Sequence, residues 1–421
     1  MMSALLVVAT LSAAPALAVP EGAQAAPGFD PDRATQAWVD TLSPEARARS
    51  DAYFEGGYVL QFVSFAYGLG VAALFLLTPL SLRMRELSGR WARGAFPVSV
   101  IYAAQYIVLL TAFTFPMTFY EGFYREHAYK MANNTFGAWL GDETKSLAVD
   151  VVLGSLFIGL LYLIFRKAGR IWWIWGTAAS LAFAAFIVMI SPVYLAPMFN
   201  TYTSVPEGPM RQQILSLARA NGIPADDVYW FDASRQTKRI SANVSGLFGT
   251  TRIAMNDNLM NRSPDESIQA VLGHEMGHYV LNHVYKMLLM LGVIMLCGFA
   301  FTAFAFDRIV VRWGGRLGIS GLADPAGLPL FVAIVSVWFF LMTPIDNSII
   351  RIQEEEADIF GLNASGQPDG FASVAMQLSE YRKIHPGKWE EIVFFDHPSG
   401  WNRVHMAMTW KKERLIASSN P

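Results

Sequence analysis

The sequence predicts a mainly α, integral-membrane fold: a bundle of six or seven transmembrane helices with a mixed α/β domain at the membrane surface. Three observations carry this. Of 421 residues, 53% are hydrophobic and only 16% charged, against roughly 25% charged in soluble domains. Apolar runs at 57–82, 98–120, 147–165, 171–190, 287–306 and 328–345 are each near or above the ~20 residues that cross a bilayer. Between the fourth and fifth runs, residues 193–285 are mixed in polarity and alternate between helical and strand-like periods.

This divides the chain into 1–26, a signal-like or first membrane segment; 27–56, a linker and N-terminal helix; and 57–192, four membrane helices. The first part of the surface domain follows at 193–285, two membrane helices at 286–348, and the second part of the domain at 349–421.

The elements follow in order. Residues 4–19 are short, Ala-rich and apolar, ending in Ala16-Leu17-Ala18, with a second cleavage-like site at Ala23-Gln24-Ala25. They resemble a signal peptide without its positive n-region. Residues 20–36, rich in Pro, Gly and Ala, read as a flexible linker. Trp172, Trp173 and Trp175 sit at the edge of a run, where an interfacial aromatic belt belongs. Residues 209–222 read as an amphipathic helix closed by Asn221-Gly222. Residues 227–232 and 239–258 read as short strands, with a Gly-containing turn at 246–249. Ser263-Pro264-Asp265-Glu266 reads as a capped helix start: Ser at the N-cap, Pro at the first helical position, Glu completing a capping box.

That helix carries His274-Glu275-Met276-Gly277-His278, a His-Glu-x-x-His motif. Four residues make just over one turn, so His274 and His278 share a face and can bind one metal ion. Glu275 lies about 100° round from His274, placed to act on a water at the metal's open position, the arrangement that metal-assisted peptide hydrolysis needs. Gly273 and Gly277 each cost roughly 0.5–1 kcal/mol relative to Ala inside a helix. Their presence points to close packing of another element, or of a substrate, on that face. A catalytic zinc site takes three protein ligands. Glu354-Glu355-Glu356-Ala357-Asp358 is the candidate source of the third. Glu354 and Asp358 share a helical face, so one can bind metal while the other holds a ligand His. The acidic run alone leaves Glu354, Glu355 and Glu356 open.

Together these residues resemble the Ste24-type CAAX prenyl proteases, integral-membrane zinc metallopeptidases of the M48 type. That family pairs a His-Glu-x-x-His helix with a later Glu-x-x-Ala-Asp helix. The likeness runs from about residue 40 to the C-terminus. It includes Leu87-Ser88-Gly89-Arg90, Phe136-Gly137, Ala196-Pro197-Met198-Phe199-Asn200, Val205-Pro206-Glu207-Gly208, Ser241-Ala242-Asn243, Gly246, Phe248-Gly249, Arg252-Ile253, Asp257, His397-Pro398 and Arg403-Val404. The resemblance implies one Zn2+ per chain held by His274, His278 and Glu354, with Asp358 orienting a ligand His. It implies Glu275 as general base, His397 with Arg403 near it stabilising the oxyanion, and Asn243 on a strand that holds an extended substrate. It implies a peptide substrate prenylated at a C-terminal Cys, and the lipid bilayer as the other partner. The chain departs from the family in having only a short N-terminal run where the family has a full first membrane helix.

His283, five residues after His278, lies about 140° from it on a helical wheel, which gives it a packing or hydrogen-bonding role. Asp150 and Asp346, at the ends of runs, read as interfacial, and Met287, Met290 and Met295 as packing or lipid-facing. The single cysteine, Cys297, excludes an intrachain disulfide and a Cys-rich zinc site. A net charge of −2 argues against nucleic acid as a partner.

Multi-pass insertion follows, in the inner membrane for a bacterial source. Orientation has two readings. The Arg-rich segment 83–93, the tight turn 166–170 and the loop 307–317 lie on one side, opposite the surface domain. The positive-inside rule makes that side cytoplasmic, whereas the family resemblance puts the surface domain there. Two other functions are compatible with parts of the sequence: a quality-control protease like the heat-shock membrane peptidases, and a non-catalytic scaffold or transporter. The near absence of ionisable residues within the runs counts against transport, and the intact motif against a dead scaffold.

Overall fold

The computed structural model describes residues 16–245 and 251–419. Most of the signal-like segment, and the turn read at 246–249, lie outside the described residues. The fold is mainly helical with one small sheet. Helix α1 (Pro31–Val39) precedes α2 (Pro44–Leu77), which Ser43 caps by accepting from the Ala46 N–H at 3.1 Å. Thr78-Pro79 break the chain, and α3 (Leu80–Trp91) leads to α4 (Ala95–Phe119). After α5 (Arg125–Ala128), α6 (Phe136–Val149) runs through a wider turn at Asp150–Gly154 into α7 (Ser155–Ala168). Gly169, at φ 54°, reverses the chain into α8 (Trp172–Ile190), and α9 (Ala196–Phe199) ends the membrane half.

Five helical stretches among the described residues are long and apolar enough to cross a membrane: Pro44–Leu77, Ala95–Ala128, Phe136–Phe199, His283–Leu317 and Pro325–Ser365. The third contains the Gly169 reversal, across which Phe157 and Phe183 stack at 4.3 Å. Two of the six apolar runs thus form one helical hairpin. Tyr102, Tyr106, Tyr162, Trp172, Phe299, Phe306 and Phe331 fill the bundle core.

The sheet orders β1 (Tyr202–Ser204), β2 (Val228–Phe231), β4 (Arg252–Asn256) and β3 (Ala242–Ser245), with β2 parallel to β4 and the outer pairs antiparallel. Helix α10 (Pro209–Ala220) ends at Asn221 as expected. Asp257 and Asn258, read as strand, instead open α11 (Asp257–Arg262), because the Asn256 side chain caps a helix there by accepting from the Leu259 N–H at 2.9 Å. Next come α12 (Asp265–Val280), α13 (His283–Leu317), α14 (Leu328–Ser365), α15 (Pro368–Leu378), α16 (Lys388–Phe394) and α17 (Gly400–Ser419).

Three expectations are corrected. Pro264, not Ser263, occupies the N-cap of α12, and no side chain caps it. The Ser263 hydroxyl is drawn away to donate to Gln377 on α15 at 2.8 Å. Residues 20–36 are no flexible linker: Ala23 and Ala34, with Trp38 and Val39 just beyond them, are buried against Phe371, Val404 and Met408. There the buried Lys411 ammonium donates to the Ala23 carbonyl at 2.7 Å and to Asp369. Residues 307–317 are not a loop but the last turns of α13, which continues until Gly318 caps it at φ 68°.

The basic segments do meet at one end of the bundle. Arg85 pairs with Asp324 at 2.6 Å, and Arg166 reaches the Ala323 carbonyl at 3.3 Å. The opposite end of α2 touches the surface domain, where Ser50 donates to the Arg382 carbonyl and Tyr58 to Glu390. Above that end, Glu126 accepts from Tyr53 at 2.5 Å and pairs with Arg239 at 2.8 Å, tying the segment before β3 to two membrane helices.

The central packing is α12 against α14. A Cβ on Gly361 would lie 2.7 Å from the His274 nitrogen, and one on Gly277 3.1 Å from Ala357 Cα. The element that the two motif glycines admit is therefore α14. Gly361→Ala must push the helices apart by several tenths of an ångström. It should destabilise the fold by roughly 1–3 kcal/mol, as overpacking does, and loosen the site at the crossing. Thermal unfolding in detergent checks this; an unchanged midpoint refutes the close-contact argument.

Candidate metal centre

At the crossing, α12 presents His274 and His278, and α14 presents Glu354 and Asp358. Glu354 lies 26 residues beyond Leu328 (354 − 328) on one unbroken helix, about 39 Å along its axis at 1.5 Å per residue. That exceeds the ~30 Å hydrocarbon core, so the helix is long enough to cross a bilayer and still carry its acidic end to the face of α12.

Glu354 is buried, as are Asp358 and His274. His274 Nε2 lies 3.1 Å from His278 Nε2 and 3.2 Å from a Glu354 oxygen, and His278 Nε2 lies 3.4 Å from the other Glu354 oxygen. Ligand atoms about 2.0–2.1 Å from a tetrahedral zinc stand about 3.3 Å apart, so the spacing fits. Proton placement fits too. His274 Nδ1 faces the Asp358 carboxylate at 2.7 Å, and so donates to it. His278 Nδ1 faces His283 Nδ1 at 2.8 Å, while His283 Nε2 faces Glu356 at 3.0 Å. With His283 donating to Glu356 and accepting from His278, the Nε2 lone pairs of His274 and His278 point at each other. A cation between them, proton or metal ion, relieves that arrangement. Glu354 Oε2, buried and without a hydrogen bond, faces the same point.

Electrostatics agree. Burial alone lowers the pKa of His274, but Asp358's charge and hydrogen bond outweigh it and raise it to about 10. The acids hold positive charge here, whether proton or metal ion. Burial, aided by charge at His274, lowers His278 to about 4, which favours the neutral imidazole that ligates metals. Burial raises Glu275 to about 7, opposed by positive charge at His274.

Around the triad, Arg403 is buried and grips Asp358 with Nε at 2.8 Å and with Nη2. It is committed to the carboxylate that orients His274. His397 Nε2 lies 3.2 Å from Glu354 Oε2, and its Nδ1 is held by Asp396 at 2.8 Å. Glu275, His397 and Arg403 line a cavity of about 220 Å³, walled by Ser241, Ala242 and Phe371. A second, apolar cavity of about 690 Å³ opens on the other side of His278 and Glu354, between α8, α13 and α14. Met287 and Met290 line it and Asp346 sits at its wall, while Asp150 is far along the chain in the α6–α7 turn.

β3 is a sheet edge over α12. Asn256 N–H donates to the Ser241 carbonyl at 2.8 Å. By antiparallel alternation, Asn243 then bonds inward to Ala254, while the backbone groups of Ala242 and Val244 face outward. Asn243 can therefore reach an added strand only through its side chain, which accepts from Ser245 at 3.1 Å. Of the predicted residues, His274, Glu275, His278, Glu354, Asp358, His397 and Arg403 are thus gathered, whereas Asn243 does not line the cavity and only follows Ala242, which does. Sequence reasoning missed Asp396, and it read Glu356 only as an alternative metal ligand, not as the partner of His283.

Comparison with known proteins places these features in company. A family model for peptidase family M48 matches residues 205–411, and one for the CAAX prenyl protease N-terminal region, with five membrane helices, matches residues 32–201. The chain is 26% identical over 371 residues to an uncharacterized metalloprotease, YhfN, of Bacillus subtilis, covering 87% of this chain and 86% of that one. It is 32% identical over 183 residues to CAAX prenyl protease 1 of Saccharomyces cerevisiae, covering 43% of this chain and 40% of that one. The crystal structure of S. mikatae Ste24p superposes with a TM-score of 0.75 at 22% identity, covering 88% of this chain and 90% of that one, a likeness of fold.

Proposed function

The chain belongs to peptidase family M48 as a multi-pass membrane metalloendopeptidase of the Ste24 type, and from that premise we propose that it cuts peptide bonds with one zinc ion held by His274, His278 and Glu354. The observation that carries the proposal is the convergence of these three side chains, with ligand atoms all within 4.8 Å of one another, around a buried carboxylate oxygen that accepts no hydrogen bond.

When bound, zinc supplies a Lewis acid that activates water and polarises a carbonyl. The remaining chemistry belongs to the chain. Glu275 takes a proton from the attacking water and delivers it to the leaving amine. Asp358, clamped by Arg403, fixes the His274 tautomer. His397, held by Asp396, turns Nε2 toward the site and donates to the oxyanion as it forms. The outward Ala242 and Val244 backbone groups pair with an extended peptide, with Asn243 contributing from its side chain.

The substrate we propose is a C-terminal CAAX-type peptide prenylated at its cysteine. The apolar cavity beside His278 supports this, because it offers an isoprenoid a dry site next to the scissile bond. The alternative, a quality-control protease of membrane-associated proteins, needs no such preference. We take the crossings as six, with the 136–199 hairpin counted as two, and the inner membrane as the location if the source is bacterial.

The test is metal content together with cleavage of farnesylated and unfarnesylated reporter peptides. The expected result is about one zinc per chain, as a three-ligand mononuclear site requires, and faster cleavage of the farnesylated peptide. A protein that holds no metal refutes the zinc site; equal cleavage of both peptides refutes prenyl preference and favours quality control.

A further inference from the structure

Helix α12 ends at Val280, and α13 begins only three residues later, at His283. Between them Asn282 sits in the left-handed region at φ 57°, which Asn tolerates better than most residues. Its carbonyl accepts from both Tyr285 and Lys286, so the new helix starts at once in a new direction. That turn folds His283 back against the helix it has just left. His283 is buried, its Nδ1 2.8 Å from His278 Nδ1 and its Nε2 3.0 Å from Glu356 on α14. Lys286 holds the same Glu356 oxygen at 2.7 Å.

We propose that His283 and Glu356 are a positioning pair for the metal: a hydrogen-bonded relay that fixes the ring and tautomer of His278. The proposal rests on the zinc reading above. Within the relay, His278 Nδ1–H donates to His283 Nδ1, and His283 Nε2–H donates to the Glu356 carboxylate. This leaves His278 Nε2 as a lone pair aimed at Glu354. His274 has a direct carboxylate partner in Asp358; His278 has none and reaches its acid through a second imidazole. Both arrangements raise the basicity of the ligating nitrogen. His278 and His283 border the apolar cavity, where little water competes for the bond between them, whereas Glu356 at the far end of the relay is half-exposed. It also joins three helices, so the angle of each imidazole is set by helices that cross the membrane.

The test uses the full chain in detergent and measures zinc affinity by competition with a chelator. His283→Ala should raise the dissociation constant about 10–100-fold, the usual cost of losing such a partner. His283→Asn should recover most of that loss, because its Oδ1 stands where Nδ1 stood and accepts the same hydrogen bond. Glu356→Gln, at a half-exposed position, should weaken zinc in the same direction but by less. Wild-type protein without zinc would overturn the zinc reading and the relay together. Zinc held by wild type and equally tightly by His283→Ala overturns the relay alone. So does His283→Asn binding as weakly as His283→Ala, which marks the effect as packing. If His283→Ala does not fold, Glu356→Gln decides: affinity equal to wild type overturns the relay.

Discussion

Glu354→Ala should strip the protein of zinc and of all measurable peptidase activity. Its carboxylate is the only acid whose oxygens lie within 3.4 Å of both His274 Nε2 and His278 Nε2 among the described residues. Without it two imidazoles remain, too few for a stable catalytic zinc. The neighbours provide the contrast. Glu355 and Glu356 are exposed and turned from the triad by about 100° and 200° of helix. Asp358→Ala should cost about 10–100-fold in affinity or activity, because it frees the His274 ring and leaves the buried Arg403 guanidinium unpaired. Glu355→Ala should be near neutral, and Glu356→Ala mild. Zinc per protein across the four variants decides. Metal lost with Glu356→Ala but kept with Glu354→Ala would show the third ligand to be misassigned.

Glu275→Gln should separate binding from chemistry. The substitution preserves size and most hydrogen bonding, and Glu275 is not among the side chains that converge on the metal point. It lines the substrate-side cavity with His397. Zinc content should therefore equal wild type, while cleavage falls by at least ~10²-fold, the usual contribution of a positioned general base. Turnover surviving in a preparation free of other proteases would remove Glu275 from the mechanism.

The sequence made the helices and most of the site legible because their signals are local. Apolar runs announce membrane helices, and a four-residue spacing announces a shared face. The family resemblance then supplied the register that the acidic run lacked. Where reading failed, the determining contact was distant or the helix was not continuous. Ser263 looked like a cap because nothing local showed Gln377 competing for its hydroxyl. Residues 20–36 looked like a linker because their small side chains signal burial only once α17 stands over them. The helical-wheel angle that turned His283 away from His278 assumed one continuous helix. The break at Asn282 voids that assumption, so His283 returns to its neighbour. The six or seven expected crossings appear as five continuous stretches because the 136–199 hairpin turns without leaving helical geometry for more than a few residues.

The bond from Lys411 to the Ala23 carbonyl spans 388 residues. It means that the interior of the surface domain is shared between segments that leave the ribosome far apart in time. At about 5–20 residues per second, roughly 20–80 s separate them. Throughout that interval the membrane helices are being threaded into the bilayer, yet the His-Glu-x-x-His helix has no Glu354 to complete it, then no Arg403 to steady Asp358. On the proposed mechanism, the site therefore stays incomplete until α17 is made and packs over α1.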